Sequence, residues 1–161
     1  MHALGQLVER HQQSVRAVAL RMTGRWDVAD DLAQEVFLRV YRFAGRYKPA
    51  AAFRTWLYRI VVNLCLDRAK SPRLSELPEE IGDASCEMAE QLARAERSEA
   101  IQRAIAQLPE RQRMALVLHR FEHMTHAQIA QATGWSESAV ESLLVRAYDQ
   151  LRQRLSQWSP G

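Results

Sequence analysis

The apolar residues of this chain recur at helical spacing and nowhere alternate as they would along a strand. In DDLAQEVFLRVYRFA, Leu32, Ala33, Val36, Phe37, Val40 and Tyr41 repeat at i, i+4 and i+8 beside polar Gln34, Glu35, Arg39 and Arg42. One face is therefore apolar, and the segment reads as an amphipathic helix. Asp27, Asp30 and Asp31 sit near its start, where carboxylates suit free N–H groups and the helix dipole. The expected class is all-α.

Breakers divide the pattern. A first helix spans about Leu4 to Thr23 and stops at Gly24. GRYKPA, with Gly45 and Pro49, is a loop, and FRTWLYRIVVNLCLDRAK forms a second strong helix reaching Lys70. SPRLSELPEEIGDAS holds two prolines and a glycine without periodicity and reads as a linker. Helices resume near Glu87, pause before Pro109, and continue through PERQRMALVLHRF, THAQIAQA and SESAVESLLVRAYDQLRQRL. The expected architecture is two small helical domains, residues 1–70 and 91–161, joined by a flexible acidic linker over residues 71–90.

Charge follows the same division. The net charge of +3 says little alone, but residues 1–70 hold 12 Lys/Arg against 6 Asp/Glu, residues 71–100 hold 3 against 8, and residues 101–161 hold 7 against 5. Two basic blocks flank an acidic bridge, which suits two polyanion-facing domains and a connector with another task. The 161 residues, 47% hydrophobic and 25% charged, are those of a soluble globular protein. No apolar run approaches the roughly 20 residues that cross a bilayer, and MHALGQLVER lacks a secretory core, so a cytoplasmic protein without membrane insertion is expected. Cys65 and Cys86 fit unpaired thiols.

Residues 126–145 have the spacing of a helix-turn-helix. Ala130 is small where two helices must approach, and Gly134 falls where a left-handed turn is needed. Val140 and Leu143 stand where the second helix is buried against the first. Thr125 and Ser136 are candidate caps. A competing motif overlaps: HRFEH, with His119, Glu122 and His123, matches the H-x-x-E-H pattern of zinc hydrolases. It falls where one helix ends, and histidines on solvated turns account for it better.

Two stretches together narrow the possibilities. DVADDLAQEVFLRVYRF followed by AAFRTWLYRIVVNLCLDRAK resembles the promoter-melting domain of the extracytoplasmic-function sigma factors of the sigma-70 family. LPERQRMALVLHRFEHMTHAQIAQATGWSESAVESLLVRAYDQLR resembles their C-terminal domain. The resemblance covers about residues 5 to 155, with both motifs in the family's order.

The resemblance implies a promoter-specificity subunit that is not an enzyme and has no cofactor. Its partners would be core RNA polymerase, through the clamp helices and flap, together with promoter DNA and an anti-sigma factor. Asp31, Gln34, Glu35 and Arg39 would face the clamp helices. Tyr47 and Asn63 would hold a base flipped from the −10 element, while Arg46, Lys48, Arg54 and Arg59 would meet backbone phosphates. Phe53, Trp56, Leu57 and Ile60 share one helical face and read as core. Glu76, Glu79, Glu80 and Asp83 would lie in the RNA exit path, resembling a nucleic-acid strand. The −35 contacts would come from Ser136, Ser138, Glu141, Ser142 and Arg146.

That last helix begins acidic, with Glu137 and Glu141 and no Lys or Arg before Arg146. Many relatives carry a basic residue where Glu141 stands. A carboxylate can accept from cytosine N4 yet repels phosphate, so Glu141 would select and add little affinity. A stand-alone helix-turn-helix regulator would explain residues 101–161 but leave TWLYRIVVN and the basic first block without a purpose.

Overall fold

Gly24 sets where the first helix stops. Its φ of 72° lies in the left-handed region, which glycine enters without steric cost, and its N–H donates to the Leu20 carbonyl at 2.7 Å. This closes α1 (His2–Thr23) and lets α2 (Trp26–Phe43) fold back along it. The computed structural model describes residues 2–47, 52–69 and 88–158. A 3₁₀ turn, Ala44–Arg46, ends α2, and α3 (Phe53–Ala69) follows. Then come α4 (Met88–Ala106), α5 (Glu110–Arg120), α6 (His126–Thr133), α7 (Glu137–Arg154) and a closing 3₁₀ turn, Ser156–Trp158. The described residues contain no strand. The expected linker lies outside the described residues up to position 87.

The helix boundaries follow the sequence reading closely, but the packing adds something local patterns do not carry. One buried cluster runs through both halves of the chain. Val15, Val18, Val36, Val40, Leu57 and Val61 of the first three helices continue into Met114, Val117, Leu118, Ile129, Val140 and Leu144 of the last three. Helix α5 lies at its centre and is buried without interruption from Gln112 to Leu118. A helix apolar on one stripe needs one neighbour, whereas one buried all round needs neighbours on every side. Both halves supply them. A smaller cluster of Ile105, Leu108, Leu116 and Ala147 ties α4 to α5 and α7.

Arg113, at the end of LPERQR, has a structural task. Its side chain is 3% exposed, and its guanidinium donates to Ile105 O at 3.0 Å, Leu108 O at 2.9 Å and Ala106 O. It thereby satisfies carbonyls at the end of α4 that have no intrahelical partner. A further N–H donates to Met22 O at 2.8 Å, across to α1. Glu110 gives a counter-charge at 3.3 Å.

Two details differ from the sequence pattern. Tyr41, counted there with the apolar stripe, is 52% exposed; the stripe follows Leu32, Val36 and Val40, and Tyr41 lies one residue beyond its edge. In α7 the deepest residues are Val140, Leu144 and Ala147, while Leu143 is only partly buried. The steps from Val140 to Leu144 and on to Ala147 keep one face better than the step to Leu143 does.

Because Arg113 serves carbonyls on two elements and the core is shared, Arg113→Met is expected to cost about 3 kcal/mol. Thermal unfolding of the wild-type chain should proceed as one transition detected alike by circular dichroism and tryptophan fluorescence.

Candidate nucleic-acid interface

The helix-turn-helix is capped as its spacing predicts. Thr125 Oγ1 accepts from Gln128 N at 3.1 Å while Gln128 Oε1 accepts from Thr125 N at 2.9 Å, a reciprocal capping box. Gly134 turns the chain at φ 79° with its N–H on Ala130 O. Ser136 Oγ accepts from Ala139 N at 3.1 Å and starts α7. Ser138, Glu141, Ser142 and Arg146 are then all exposed on α7, so the predicted reading face is presented to solvent. Val145 joins it at 56% exposure. The sequence reading missed Val145, although its place off the Val140–Leu144–Ala147 stripe marks it. An apolar side chain there can meet a thymine methyl.

On α3 the predicted pocket residues separate. Tyr47, Phe53 and Trp56 form an aromatic cluster, with Tyr47 5.2 Å from Trp56 and 5.9 Å from Phe53 between ring centres. His11 stands 5.7 Å from Phe53. Phe53, Trp56 and Ile60 are partly buried against the core and Leu57 is fully buried. Asn63 is exposed two turns beyond Trp56, and Arg46 is exposed beside Phe43. Lys48 lies outside the described residues, as do Glu76, Glu79, Glu80 and Asp83.

Arg54 and Arg59 point elsewhere. Arg54 donates to the backbone carbonyl of Glu122 and lies 3.7 Å from its carboxylate. Tyr58 OH donates to Glu122 Oε2 at 2.7 Å in a buried setting. Arg59 donates to Gln131 O of α6 at 2.9 Å. Arg21 of α1 lies 3.9 Å over the Phe121 ring, a cation–π contact. Burial, and then the bond to Glu122, push the Tyr58 hydroxyl well above the usual phenol range. It therefore remains a donor at any physiological pH. Glu122 is 9% exposed, so its partners are what make its burial tolerable.

The end of α5 also separates the members of HRFEH. Helix α5 ends at Arg120, so His119 is helical while His123 sits in the following loop at φ 55°. The two histidines do not share a helix face, and Glu122 is engaged by Tyr58. Among the described residues no group of three His, Cys, Asp or Glu is placed to hold a metal ion. His119 instead has Nδ1 3.3 Å from Tyr148 OH and its ring 5.5 Å from that of His126.

The face of α2 predicted to meet a protein partner is open. Gln34 is exposed, and Glu35 pairs with Arg39 at 3.0 Å. Asp31 is exposed one turn earlier. Leu38 is 58% exposed and Tyr41 52%, and both line a groove of about 570 Å³ between α1 and α2 with Gln34. Two large apolar side chains left in water beside polar ones are what an interaction face shows. Sequence reading passed over Leu38 and counted Tyr41 with the buried stripe that both side chains flank.

Comparison with known proteins decides the family. Residues 7–73 match the model described as Sigma-70 region 2, and residues 98–151 match that described as Sigma-70, region 4. The chain is 35% identical to the ECF RNA polymerase sigma factor SigM of Mycobacterium tuberculosis, over 99% of this chain and 81% of that one. The chain is an ECF RNA polymerase sigma factor. It thus acts in transcription initiation, directing RNA polymerase to promoters. The structure of CnrH in complex with the cytosolic domain of CnrY resembles it with a TM-score of 0.75 and 26% identity, over 98% of this chain and 90% of that one. The sigma factor RpoE of Bartonella quintana, solved with the anti-sigma factor NepR, shares the fold at a TM-score of 0.77 and 17% identity, over 97% of this chain and 98% of that one. Among the described residues no helix of this sigma factor is long and apolar enough to cross a membrane.

Two outcomes follow from the geometry. Tyr58→Phe is expected to cost about 1–2 kcal/mol by leaving a buried carboxylate oxygen without its donor. A double-mutant cycle with Glu122→Gln should return a coupling of about 1 kcal/mol, and additivity would show that the two do not act as a pair. Acid should also loosen the fold. Burial, then His126 and Arg120, hold the His119 pKa below 6.5, and burial chiefly does the same to His11. The unfolded chain therefore takes up protons first, and stability falls as pH drops through 6.5. Melting temperature measured from pH 7.5 downward should show that fall, and His119→Gln should reduce it.

Proposed function

We propose that this sigma factor opens the −10 element with its first three helices and reads duplex −35 DNA with α7. Residues 1–70 would form the polymerase-binding and melting domain, 71–90 the linker and 91–161 the −35 domain. What supports this most is the order of the two sigma-70 matches along one chain, with an exposed, doubly capped helix-turn-helix in the second. In this reading Asp31, Gln34, Glu35 and Arg39, joined by Leu38 and Tyr41, meet the core polymerase. Tyr47 and Asn63 hold the extracted base, and Arg46, Lys48, Arg54 and Arg59 its backbone. Ser136, Ser138, Glu141, Ser142 and Arg146 face the −35 duplex. The protein is a cytoplasmic specificity subunit and not an enzyme. A fold neighbour solved with an anti-sigma factor supports a partner of that kind here.

Arg54 and Arg59 donate to carbonyls of α5–α6 in the closed arrangement. Presenting them to a promoter requires that this contact open. The same side chains would then hold the halves together in the free chain and hold DNA in the initiation complex.

Reconstituted transcription with core polymerase over a promoter library tests the function. Promoter-specific transcripts are the expected result, and none at any promoter would refute it. Asn63→Ala and Tyr47→Ala should reduce strand opening by about tenfold or more, since extracting a base costs a few kcal/mol that the pocket must offset. Their binding to core should be unchanged. Normal opening by both would remove the pocket assignment.

A further inference from the structure

The start of α7 carries Glu137 and Glu141 and has no cation of its own before Arg146. The fold brings one from another helix. Arg111, in the first turn of α5, has its guanidinium carbon 4.8 Å from the centre of the Trp135 ring. Trp135 occupies the turn between α6 and α7, directly before the Ser136 cap. It is half-buried against the core, and its backbone N–H donates to Thr133 Oγ1 at 3.2 Å. The ring is thus a fixed platform next to the reading helix.

The setting of Arg111 differs from that of the ion-paired arginines. Arg16, Arg25, Arg39, Arg103 and Arg152 each face a carboxylate. Arg111 is exposed, and among the described residues it faces none. A guanidinium stacked on an indole loses rotamer freedom but keeps its N–H groups in plane and available. An unneutralised cation, pre-positioned beside a helix that reads DNA, suits one bidentate phosphate contact.

We propose that Arg111, clamped by Trp135, is a backbone-phosphate contact of the −35 duplex and gives the acidic start of α7 its cationic anchor. The proposal rests on α7 being the promoter-reading helix. Selection at the bases then falls to Glu141 and its neighbours, and grip falls to a residue from α5. A contact to phosphate carries no sequence information, so its loss must weaken all sites alike.

The test uses the full chain reconstituted with core polymerase. The probe is the promoter duplex that the wild-type holoenzyme selects from a library, together with single-base variants in its −35 element. Affinity is measured across a range of KCl concentrations. Arg111→Ala should weaken binding about tenfold on every duplex alike, and the slope of log affinity against log salt should become shallower by about one. Trp135→Ala should reproduce part of both effects, Trp135→Phe should restore them, and the melting temperature of Arg111→Ala should match the wild type. An unchanged salt slope for Arg111→Ala would overturn the proposal, as would an affinity loss that merely tracks a lowered melting temperature. Failure of the wild-type holoenzyme to select any promoter would overturn the −35 reading, and Arg111 with it. Selection by the wild type with Arg111→Ala indistinguishable from it would overturn Arg111 alone.

Discussion

The Glu122 carboxyl group has to be satisfied from the other half of the molecule. It is nearly excluded from water, and Tyr58 and Arg54 of α3 are what it meets there. Removing a carboxylate from solvent without partners costs several kcal/mol, so α3 and the end of α5 are specified against each other. Once α3 is set there, Arg59 reaches α6 and the aliphatic faces of α3, α5 and α6 close into one cluster. Arg113 repeats the logic on the other side of α5, where its reach to Met22 ties that helix to α1. The shared core gives the apolar contribution, and these polar ties fix which faces meet.

The consequence for function is a competition for the same groups. Arginines that suit DNA phosphate on their sequence context are occupied by main-chain carbonyls. The exposed elements are the ones that need no opening: the α2 face with Leu38 and Tyr41, and the α7 face from Ser138 to Arg146. On the proposed assignment, such a chain would offer its polymerase-facing surface at once and release Arg54 and Arg59 only later. Helix α7 is free from the outset, and its acidic start is offset by a neighbouring helix rather than by its own sequence.

Much of this was legible in the residues. Helix ends could be placed because Gly24, Pro109 and Gly134 act locally, each through its own backbone restriction, and Thr125 and Ser136 cap within three residues of themselves. The helix-turn-helix was legible for the same reason. Contacts between halves were not. Arg54 lies 68 positions from Glu122 and Arg59 lies 72 from Gln131, and no local pattern encodes such pairs. Glu122 drew attention as part of HRFEH, but its partner Tyr58 is in another helix. Tyr41 and Leu143 were misplaced by one residue of helical phase, because apolar identity marks a stripe less sharply than burial does. Arg111 is invisible to motif reading, since its meaning comes only from the ring beneath it.

The central claim is that the groups joining the two halves must part before the promoter is engaged. It is tested most directly by the distance between spin labels at Gln13 of α1 and Gln153 of α7, both exposed. A Cys86→Ser background suffices, because Cys65 is buried and its thiol is pushed up to about 12. Double electron–electron resonance should give one short distance for the free chain and a longer one when core polymerase and promoter DNA are bound. An identical distance in both states, in a complex that initiates transcription, would contradict the account.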